Sequence, residues 1–594
     1  MANVTFITFY NDFSVGVNIL SNILFDAGHD VSVIFFKLPS KTNQKWFKDS
    51  TIYLEAIDTY GDIIGGNIAA NKWNDNETDL LIQKVGDLKS EIICISCRST
   101  DRELAEDVLP KIRQTTNAVF LAGGFGPTLE PEIFVDLVDY VFIGEAENKI
   151  AEIISAIEKD MPLESMDNIC FRDKDNGKIT KNKLSVPDVK KYQFSDIITN
   201  TYFIENSKIY DYDERASVIG SHKYSIFAGR GCIGTCTYCS AGRWFETYHN
   251  EGIQLRKRRN RVLDDIIEEL LKIKDKEFTF IFFRDSFLSG STKFLEELFY
   301  LYERHINLPF WAQFFPKQMV SNPNLLKMAV DAGFVDTEIG FQSGSDRINK
   351  TIFDRHISNN DTIKYTQMLA EHDINMKYDF IVFNPAETKD DINKSYNVIQ
   401  ALPKKRSYLY LPRLLNFPGT PINERLKGYS IKPSEFGNYY AQALLLLLCF
   451  VMNESEFDKI LKDQKLTSSW QSLLQFYKLY IKKHNIDFQI GTHDVPNSIT
   501  THRYHRILKR KQYTDVIVWG FGDYFYEMAH IFNNVNIRFH ISDNADSPSA
   551  GLSSPEVLRD IKEALPIFIC SPRKQEIKIK ILKEFSSYPG ENYV

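Results

Sequence analysis

At 594 residues the chain has room for about four domains, or three if one is a large barrel. It is 43% hydrophobic and 25% charged with a formal net charge of −7. That is the balance of a soluble globular protein, and it lacks the basic face that nucleic-acid or anionic-membrane binding needs. Eight cysteines in this length exclude a disulfide framework. The longest apolar run, Ala443 to Met452, falls far short of the ~20 residues that cross a bilayer and reads as a buried helix. The N-terminus opens directly into a strand pattern with no charged n-region and h-region, so no signal peptide is expected and the cytoplasm is the expected compartment.

Residues 1–150 carry five short β-rich runs: Val4 to Phe9, Val31 to Phe36, Ile92 to Ser96, Val119 to Ala122 and Tyr140 to Ile143. Helical patterns such as Val17 to Ala27 and Arg102 to Gln114 separate most of them. This alternation predicts a doubly wound, Rossmann-like parallel sheet covered on both faces. Ligands of such sheets bind beyond the carboxyl ends of the strands. The loops there are Asn11-Asp12-Phe13-Ser14, Cys97-Arg98-Ser99-Thr100, Gly123-Gly124-Phe125-Gly126-Pro127-Thr128 and Gly144-Glu145-Ala146-Glu147. Glycines at these positions let backbone approach a ligand closely. Residues 151–224 read as a connector, with a hairpin turning at Asp175-Asn176-Gly177 and an extended linker after Val186-Pro187-Asp188.

The strand-like run Tyr224 to Ala228 feeds a loop carrying Cys232, Cys236 and Cys239 at the spacing C-x3-C-x2-C. Three thiolates on one loop can hold three irons of a 4Fe–4S cubane. A closed cluster takes four protein ligands, so a fourth iron would stay open to a substrate or cofactor. A zinc knuckle or free thiols are the alternatives, but zinc usually needs a second ligand pair and none follows nearby. Cys94, Cys97, Cys170, Cys449 and Cys570 sit in apolar runs and read as packed thiols.

Over 225–428, strand patterns alternate with helices: Phe278 to Phe283, Phe310 to Phe314, Val335 to Gly340, Met376 to Phe383 and Tyr408 to Leu415, with helices at Val262 to Lys272, Asn324 to Ala332 and Asn360 to His372. With the strand before the cysteines this predicts an open, TIM-like (βα)6 barrel whose polar strand ends face the site. Those ends carry Asp285, then Gln342-Ser343-Gly344-Ser345, Asn384-Pro385-Ala386-Glu387-Thr388 and Phe417-Pro418-Gly419-Thr420-Pro421. Taken singly, Ser343 or Asp285 reads as a structural cap or loop residue. Their recurrence at successive strand ends is what makes them site candidates. The basic run Arg256-Lys257-Arg258-Arg259 reads as a solvated face.

Residues 429–510 read as a helical region. Residues 511–594 read as a small Rossmann-like module: Val516 to Trp519, Gly520-Phe521-Gly522-Asp523, Ile537 to Ile541, Asp543, Pro566 to Cys570 and a helix from Lys574 to Phe585. Phe525 stands where a dinucleotide fingerprint has its third glycine, so the module is expected to serve packing or substrate docking.

The cysteine loop and the barrel motifs, in this order, resemble the radical S-adenosylmethionine (SAM) superfamily. The strand–GG-x-G-P-T and strand–G-E-x-E pattern resembles the cobalamin-binding domain fused to many of its members. The resemblance implies that Cys232, Cys236 and Cys239 ligate the cluster, and that the open iron chelates SAM for reductive cleavage to a 5′-deoxyadenosyl radical. It implies that Tyr238 lies against the adenine and that Asp285, Gln342, Ser343, Ser345 and Asn384 contact SAM. Gln342 replaces the Glu of relatives, and the segment from Asn384 lacks two of their glycines. It further implies a cobalamin site at Asn11, Ser99, Thr100, Gly123, Gly124, Gly126, Thr128, Gly144 and Glu145. No D-x-H-x-x-G motif is present and His29 lies at a strand entry, so cobalamin would bind base-off without a His ligand. The alternative is a degenerate domain kept for packing.

The expected function is cobalamin-dependent methylation of an unactivated carbon, or phosphorus, of a small-molecule or natural-product substrate. SAM would be used once as radical source and once to remethylate cobalamin. Flavodoxin or ferredoxin is the expected electron donor, with no nucleic-acid or membrane partner. Radical cyclisation or rearrangement without methyl transfer is the alternative within the class. A non-catalytic iron–sulfur protein is the alternative outside it.

Overall fold

Strands β1 (Asn3–Phe9) and β2 (Asp30–Phe36) form the centre of the first layer in a computed structural model of the chain, and every residue of Val4–Phe9 and Val31–Phe36 is buried. A strand covered on both faces has no solvent side to alternate toward, hence their near-continuous apolar sequences. The structure describes residues 1–11, 14–37, 73–186, 200–212, 223–274, 278, 280–412, 414, 417, 419–429, 436–484 and 513–519. Beyond these it describes 532, 536–542, 553–562, 564–569, 577, 580, 581, 584, 585, 592 and 593.

The sheet continues through β3 (Ile92–Ser96), β4 (Val119–Gly123) and β5 (Tyr140–Phe142), all parallel to β1. Ser14 caps the first helix, Val15–Asp26, by accepting from Val17 N–H. The connector is built into the same sheet. The expected hairpin at Asn176-Gly177 is β6 (Ile169–Arg172) with β7 (Ile179–Lys181), which adds antiparallel to β5. On the opposite edge β8 (Thr201–Glu205) runs parallel to β2 and pairs with β9 (Lys208–Asp211). Among the described residues the order is β7-β6-β5-β4-β3-β1-β2-β8-β9. The Pro187-Asp188 part of the linker lies outside the described residues.

The second layer is the barrel. Strands β10 (Lys223–Ile226), β13 (Phe280–Phe283), β14 (Phe310–Trp311), β15 (Phe334–Gln342), β16 (Asn375–Phe380) and β17 (Ser407–Tyr410) are all parallel and lie in sequence order. The first and last do not pair, so the barrel is open, as expected. Between β10 and β13 a short antiparallel ribbon forms from β11 (Gly229–Arg230) and β12 (Arg259–Asn260). Ile339, Phe341, Tyr378, Phe380, Leu409 and Leu411 pack outward in the core shared with the helices. By the period of two, Glu338, Gly340, Lys377, Asp379, Tyr408 and Tyr410 line the lumen, in rows set by the register Glu338↔Lys377↔Tyr408 and Gly340↔Asp379↔Tyr410.

The apolar run near 443–452 is a helix, Phe436–Val451, and it joins the barrel core through Leu444, Leu447, Leu448 and Phe450. No helix among the described residues is long and apolar enough to cross a membrane. At the C-terminus β18 (Asp515–Trp519), β19 (Asn536–Ile541), β20 (Ile567–Ile569) and β21 (Asn592–Tyr593) form a parallel sheet in the order β19-β18-β20-β21, one strand more than the sequence suggests. Gly520-Phe521-Gly522-Asp523, Phe525, Asp543 and Cys570 lie outside the described residues.

Candidate functional site

The cysteine loop leaves β11 through Gly231, whose φ of 81° is left-handed and whose missing Cβ would collide with Lys257 O. The loop is then sewn to the segment that follows the Gln342-Ser343-Gly344-Ser345 turn. Thr237 donates its N–H to Phe353 O at 2.9 Å and its hydroxyl to Ile352 O at 2.7 Å, and Thr235 donates its hydroxyl to Asp354 O at 3.1 Å. Ile422 N–H donates to Thr237 O at 3.0 Å, tying in the closing turn. Gly234 N–H points at Cys232 Sγ, 3.3 Å away. A Cβ on Gly234 would meet Cys232 Sγ at 3.4 Å and Cys236 Sγ at 3.7 Å, so this glycine keeps open the space between two thiols.

These residues fit an iron–sulfur cluster. Three half-buried thiols stand on one loop, and a backbone N–H donates to the first of them, the kind of bond that tunes a cluster. Among the described residues no three His, Cys, Asp or Glu side chains are placed to hold a single metal ion. Burial pushes the Cys239 thiol up to about 11, so ligation must drive off its proton. Burial also raises Cys236, against the opposing pull of Arg355 and a hydrogen bond from Tyr238.

Arg355 is a site residue that the sequence reading missed. It is buried beside the loop, donates to Gly340 O at the end of β15, and keeps Nη1 without a protein partner. An orphaned, buried guanidinium N–H near Cys236 fits an anionic group such as a carboxylate. No spacing or periodicity singles Arg355 out in the chain. Tyr238 turns its ring into an apolar cluster with Ile348, Ile352, Ile381 and Ile422, edge-on to Phe353 at 5.0 Å.

The barrel-end residues divide into two groups. Asp285 is committed to structure: it accepts from Ala228 N–H at 2.9 Å and from Arg258 at 2.6 Å. Burial raises its carboxyl against the opposing charge of Arg258. Ser343 donates to Glu387 at 3.1 Å and Ser345 to Asp391 at 2.5 Å, so both hydroxyls serve a buried network at the start of the helix Lys389–Ala401. Burial alone would raise Asp391, but Arg347, Ser345 and Thr388 outweigh it and hold the carboxyl well below its usual range. Gly344 has Ser395 Cα only 2.4 Å from where a Cβ would sit, and so cannot be replaced without moving that helix.

The second group faces open chemistry. Gln342, at a left-handed φ of 65°, folds its amide over Gly340 toward the lumen. Asn384 is buried and accepts from Ala386 N–H at 3.0 Å, but its Nδ2 has no protein partner. An orphaned amide donor at a strand end is what a polar ligand would satisfy. Glu387 links this group to the outer helix. Its carboxyl accepts from Ser343 and from Gln442, whose Oε1 in turn accepts from Phe383 N–H at 2.9 Å. Burial raises Glu387 to about 7, with those two hydrogen bonds only partly opposing it. Deeper in the lumen, Lys377 bonds Glu338 at 2.8 Å and lies 3.9 Å from the centre of the Tyr410 ring.

On the N-terminal layer the expected site splits in the same way. Gly123 has open space where a Cβ would go, and Asn11, Ser99 and Thr100 stand on neighbouring loops at the carboxyl ends of the strands. Arg98 is held between them by Asp101 and by Tyr10 O, with its side chain about half exposed. This open, polar strand-end face fits a bound cofactor. Gly124 and Gly126 instead serve packing: Cβ atoms there would meet Cys97 O at 2.9 Å and Arg98 C at 2.8 Å. Thr128 Oγ1 accepts from Gly144 N–H at 3.0 Å, and Glu145 is turned toward the barrel and paired with Arg259. His29 lies at the opposite end of the sheet, beside Ala2 and Glu158.

The basic run is the clear correction. Arg258 and Arg259 are not a solvated face. Their side chains are only 10% and 11% exposed and pair with Asp285 and Glu145. Arg258, just before β12, turns to the barrel, and Arg259, its first residue, turns to the N-terminal sheet. Cys94, Cys97, Cys170 and Cys449 are buried, as read from the sequence.

Residues 226–399 match the Radical SAM superfamily. A Methanocaldococcus jannaschii protein that carries a methylthiotransferase name is 26% identical over 367 residues, 57% of this chain and 72% of that protein. Among solved structures, TsrM from Kitasatospora setae, a radical SAM methyltransferase solved with tryptophan substrate and a SAM analogue, superposes with a TM-score of 0.53 at 14% identity, covering 73% of this chain and 78% of its own. OxsB, a cobalamin-dependent SAM radical enzyme, superposes with a TM-score of 0.55 at 16% identity, covering 86% and 83%. At such identities the likeness establishes a shared fold, and the superfamily match implies a 4Fe–4S cluster and SAM at the cysteine loop. Residues 226–399 are thus a radical SAM domain, and it is joined to an N-terminal layer in the fold shared with TsrM and OxsB.

Proposed function

We propose that the protein is a cobalamin-dependent radical SAM methyltransferase acting on a small molecule. The observation that carries this reading is that the sheet carrying the open strand-end face packs on the barrel beside the three-thiol loop, through Phe125 on Trp244 at 4.8 Å and through Glu147 paired with Arg230. The two-layer likeness to TsrM and OxsB supports it. When bound, the cluster with SAM would supply a carbon-centred radical, and cobalamin the methyl group. Cys232, Cys236 and Cys239 would hold the cluster. Arg355 would meet the carboxylate of SAM, and Asn384 and Gln342 its polar groups. The lumen below, with Glu338, Lys377 and Tyr410, would orient the substrate and keep water from the reacting carbon. The substrate would be small, because it must fit among the lumen side chains.

The test is reconstitution of the purified protein with iron, sulfide and cobalamin. The reading expects cobalamin uptake by absorbance, 5′-deoxyadenosine with dithionite and SAM, and label from methyl-deuterated SAM on bound cobalamin. Protein that takes up no cobalamin refutes it. A second reading, radical rearrangement without methyl transfer, uses the same cysteine loop and the same strand-end face. That reading expects 5′-deoxyadenosine and cobalamin uptake with no label transferred from the deuterated methyl group.

A further inference from the structure

The turn after β5 and the ribbon before the cysteine loop meet through four charged side chains. Arg259 donates to both oxygens of Glu145, at 3.0 Å to Oε2, and Trp244 Nε1 donates to the same carboxylate at 3.2 Å. Arg230, two residues before Cys232, pairs with Glu147. Glu145 N–H donates to Tyr248 Oη at 2.8 Å. The carboxylates are almost wholly buried, with side-chain exposures of 2% and 6%. Three glycines bring the backbones together. A Cβ on Gly144 would collide with Tyr248 Oη, one on Gly231 with Lys257 O, and one on Gly229 would reach Arg259 O at 2.7 Å.

We infer that Glu145, Glu147, Arg230 and Arg259 form a latch that holds the cysteine loop at a fixed distance from the ligand face of the N-terminal sheet. They are positioning residues, and the G-E-x-E motif acts here on the barrel and not on a cofactor. Buried ion pairs rarely add net stability over a well-packed apolar contact, whereas they specify one geometry strictly, since a mispaired buried charge is costly. The latch joins the two surfaces that must present their ligands to each other, and one of its arginines, Arg230, stands two residues from the loop's first thiol. The partner arginine, Arg258, anchors the same ribbon to Asp285 on the barrel side, so the loop is clamped between both layers. The inference rests on these contacts and holds whichever cofactor the sheet carries.

The test is hydrogen–deuterium exchange on full-length protein bearing Glu145→Gln, Glu147→Gln or Arg259→Lys, with Glu152→Gln on an exposed helix face as control. Exchange should quicken about tenfold in both 123–128 and 229–243 for the two glutamine variants, and by less for Arg259→Lys, which keeps the charge but loses the fork. Residues 3–9 and 334–342 should exchange as in the wild type, and the control should change nothing. Exchange that quickens throughout the chain would reduce these contacts to ordinary stability, and unchanged exchange at both segments would remove the latch altogether. Should Glu145→Gln not fold, Glu147→Gln and Arg259→Lys carry the same decision.

Discussion

Lys377 Nζ lies 2.8 Å from Glu338 Oε2 across two neighbouring strands, inside a barrel whose lumen could have been filled with apolar side chains. Neither group is fully shut from water, since Glu338 keeps about a quarter of its side-chain exposure. Screening therefore limits the pair to about 1 kcal/mol of coupling. Lys377→Met should destabilise the protein by ~1–3 kcal/mol, because Glu338 is left charged in a confined site. Adding Glu338→Gln should recover about 1 kcal/mol of that loss. Urea unfolding of the two single variants and the double variant measures the coupling, and additive losses would show that the pair does not act as one.

The three loop cysteines and the remaining cysteines should behave oppositely. Cys232→Ala, Cys236→Ala and Cys239→Ala each remove one ligand of three, so reconstituted protein should lose most of its iron and all 5′-deoxyadenosine formation. Cys449→Ala removes a buried thiol that donates to Tyr396 O and accepts from Gln400. It should keep full iron content, with a stability loss of about 1 kcal/mol. Iron and acid-labile sulfide assays read both outcomes. A Cys449 variant that lost its iron would undo the assignment of the loop.

What was legible in the chain is what local pattern encodes. Five apolar runs in alternation with helices specify the parallel sheet, and C-x3-C-x2-C specifies the loop, because both signals lie within a few residues. Arg258 and Arg259 were illegible for the opposite reason. A run of four basic residues has the composition of a solvated face, and only the distant Asp285 and Glu145 reveal that two of them are buried. The connector strands β8 and β9 were missed because a sheet edge is chosen by tertiary pairing with β2, which no local period records. The serines of the turn after β15 were read by position alone. Their hydroxyls turn to Glu387 and Asp391, 44 and 46 residues on, while Asn384 in the same set keeps an unclaimed donor.

Arg355 should govern SAM affinity without governing cluster content. Its Nη1 has no protein partner, and its charge stands beside Cys236. Arg355→Gln should keep the iron of the wild type but weaken SAM binding by roughly ten- to a hundredfold, the range for losing a charge-assisted hydrogen bond of about 1.5–3 kcal/mol. Equilibrium dialysis of radiolabelled SAM against the cluster-loaded protein measures it. Unchanged affinity would assign Arg355 to the loop scaffold alone.

Glu387 should make stability fall as pH rises. Burial lifts its folded-state value from 4.5 to about 7, against partial opposition from Gln442 and Ser343. A carboxyl raised in the folded state binds its proton more tightly there than in the unfolded chain. Its contribution is therefore fully present below the unfolded value and is lost as pH climbs through the folded one. The window is pH 4.5 to about 7, and the total is on the order of 3–4 kcal/mol at most. Glu387→Gln keeps an acceptor for Ser343 or Gln442 and cannot ionise. Relative to the wild type it should gain stability steadily between pH 5 and pH 7 and hold that gain at pH 8. Urea unfolding across this range gives the difference directly. Parallel pH profiles for the two proteins would mean that Glu387 is ionised and solvated in the folded state, and that the bond from Gln442 does not seal the strand end against water.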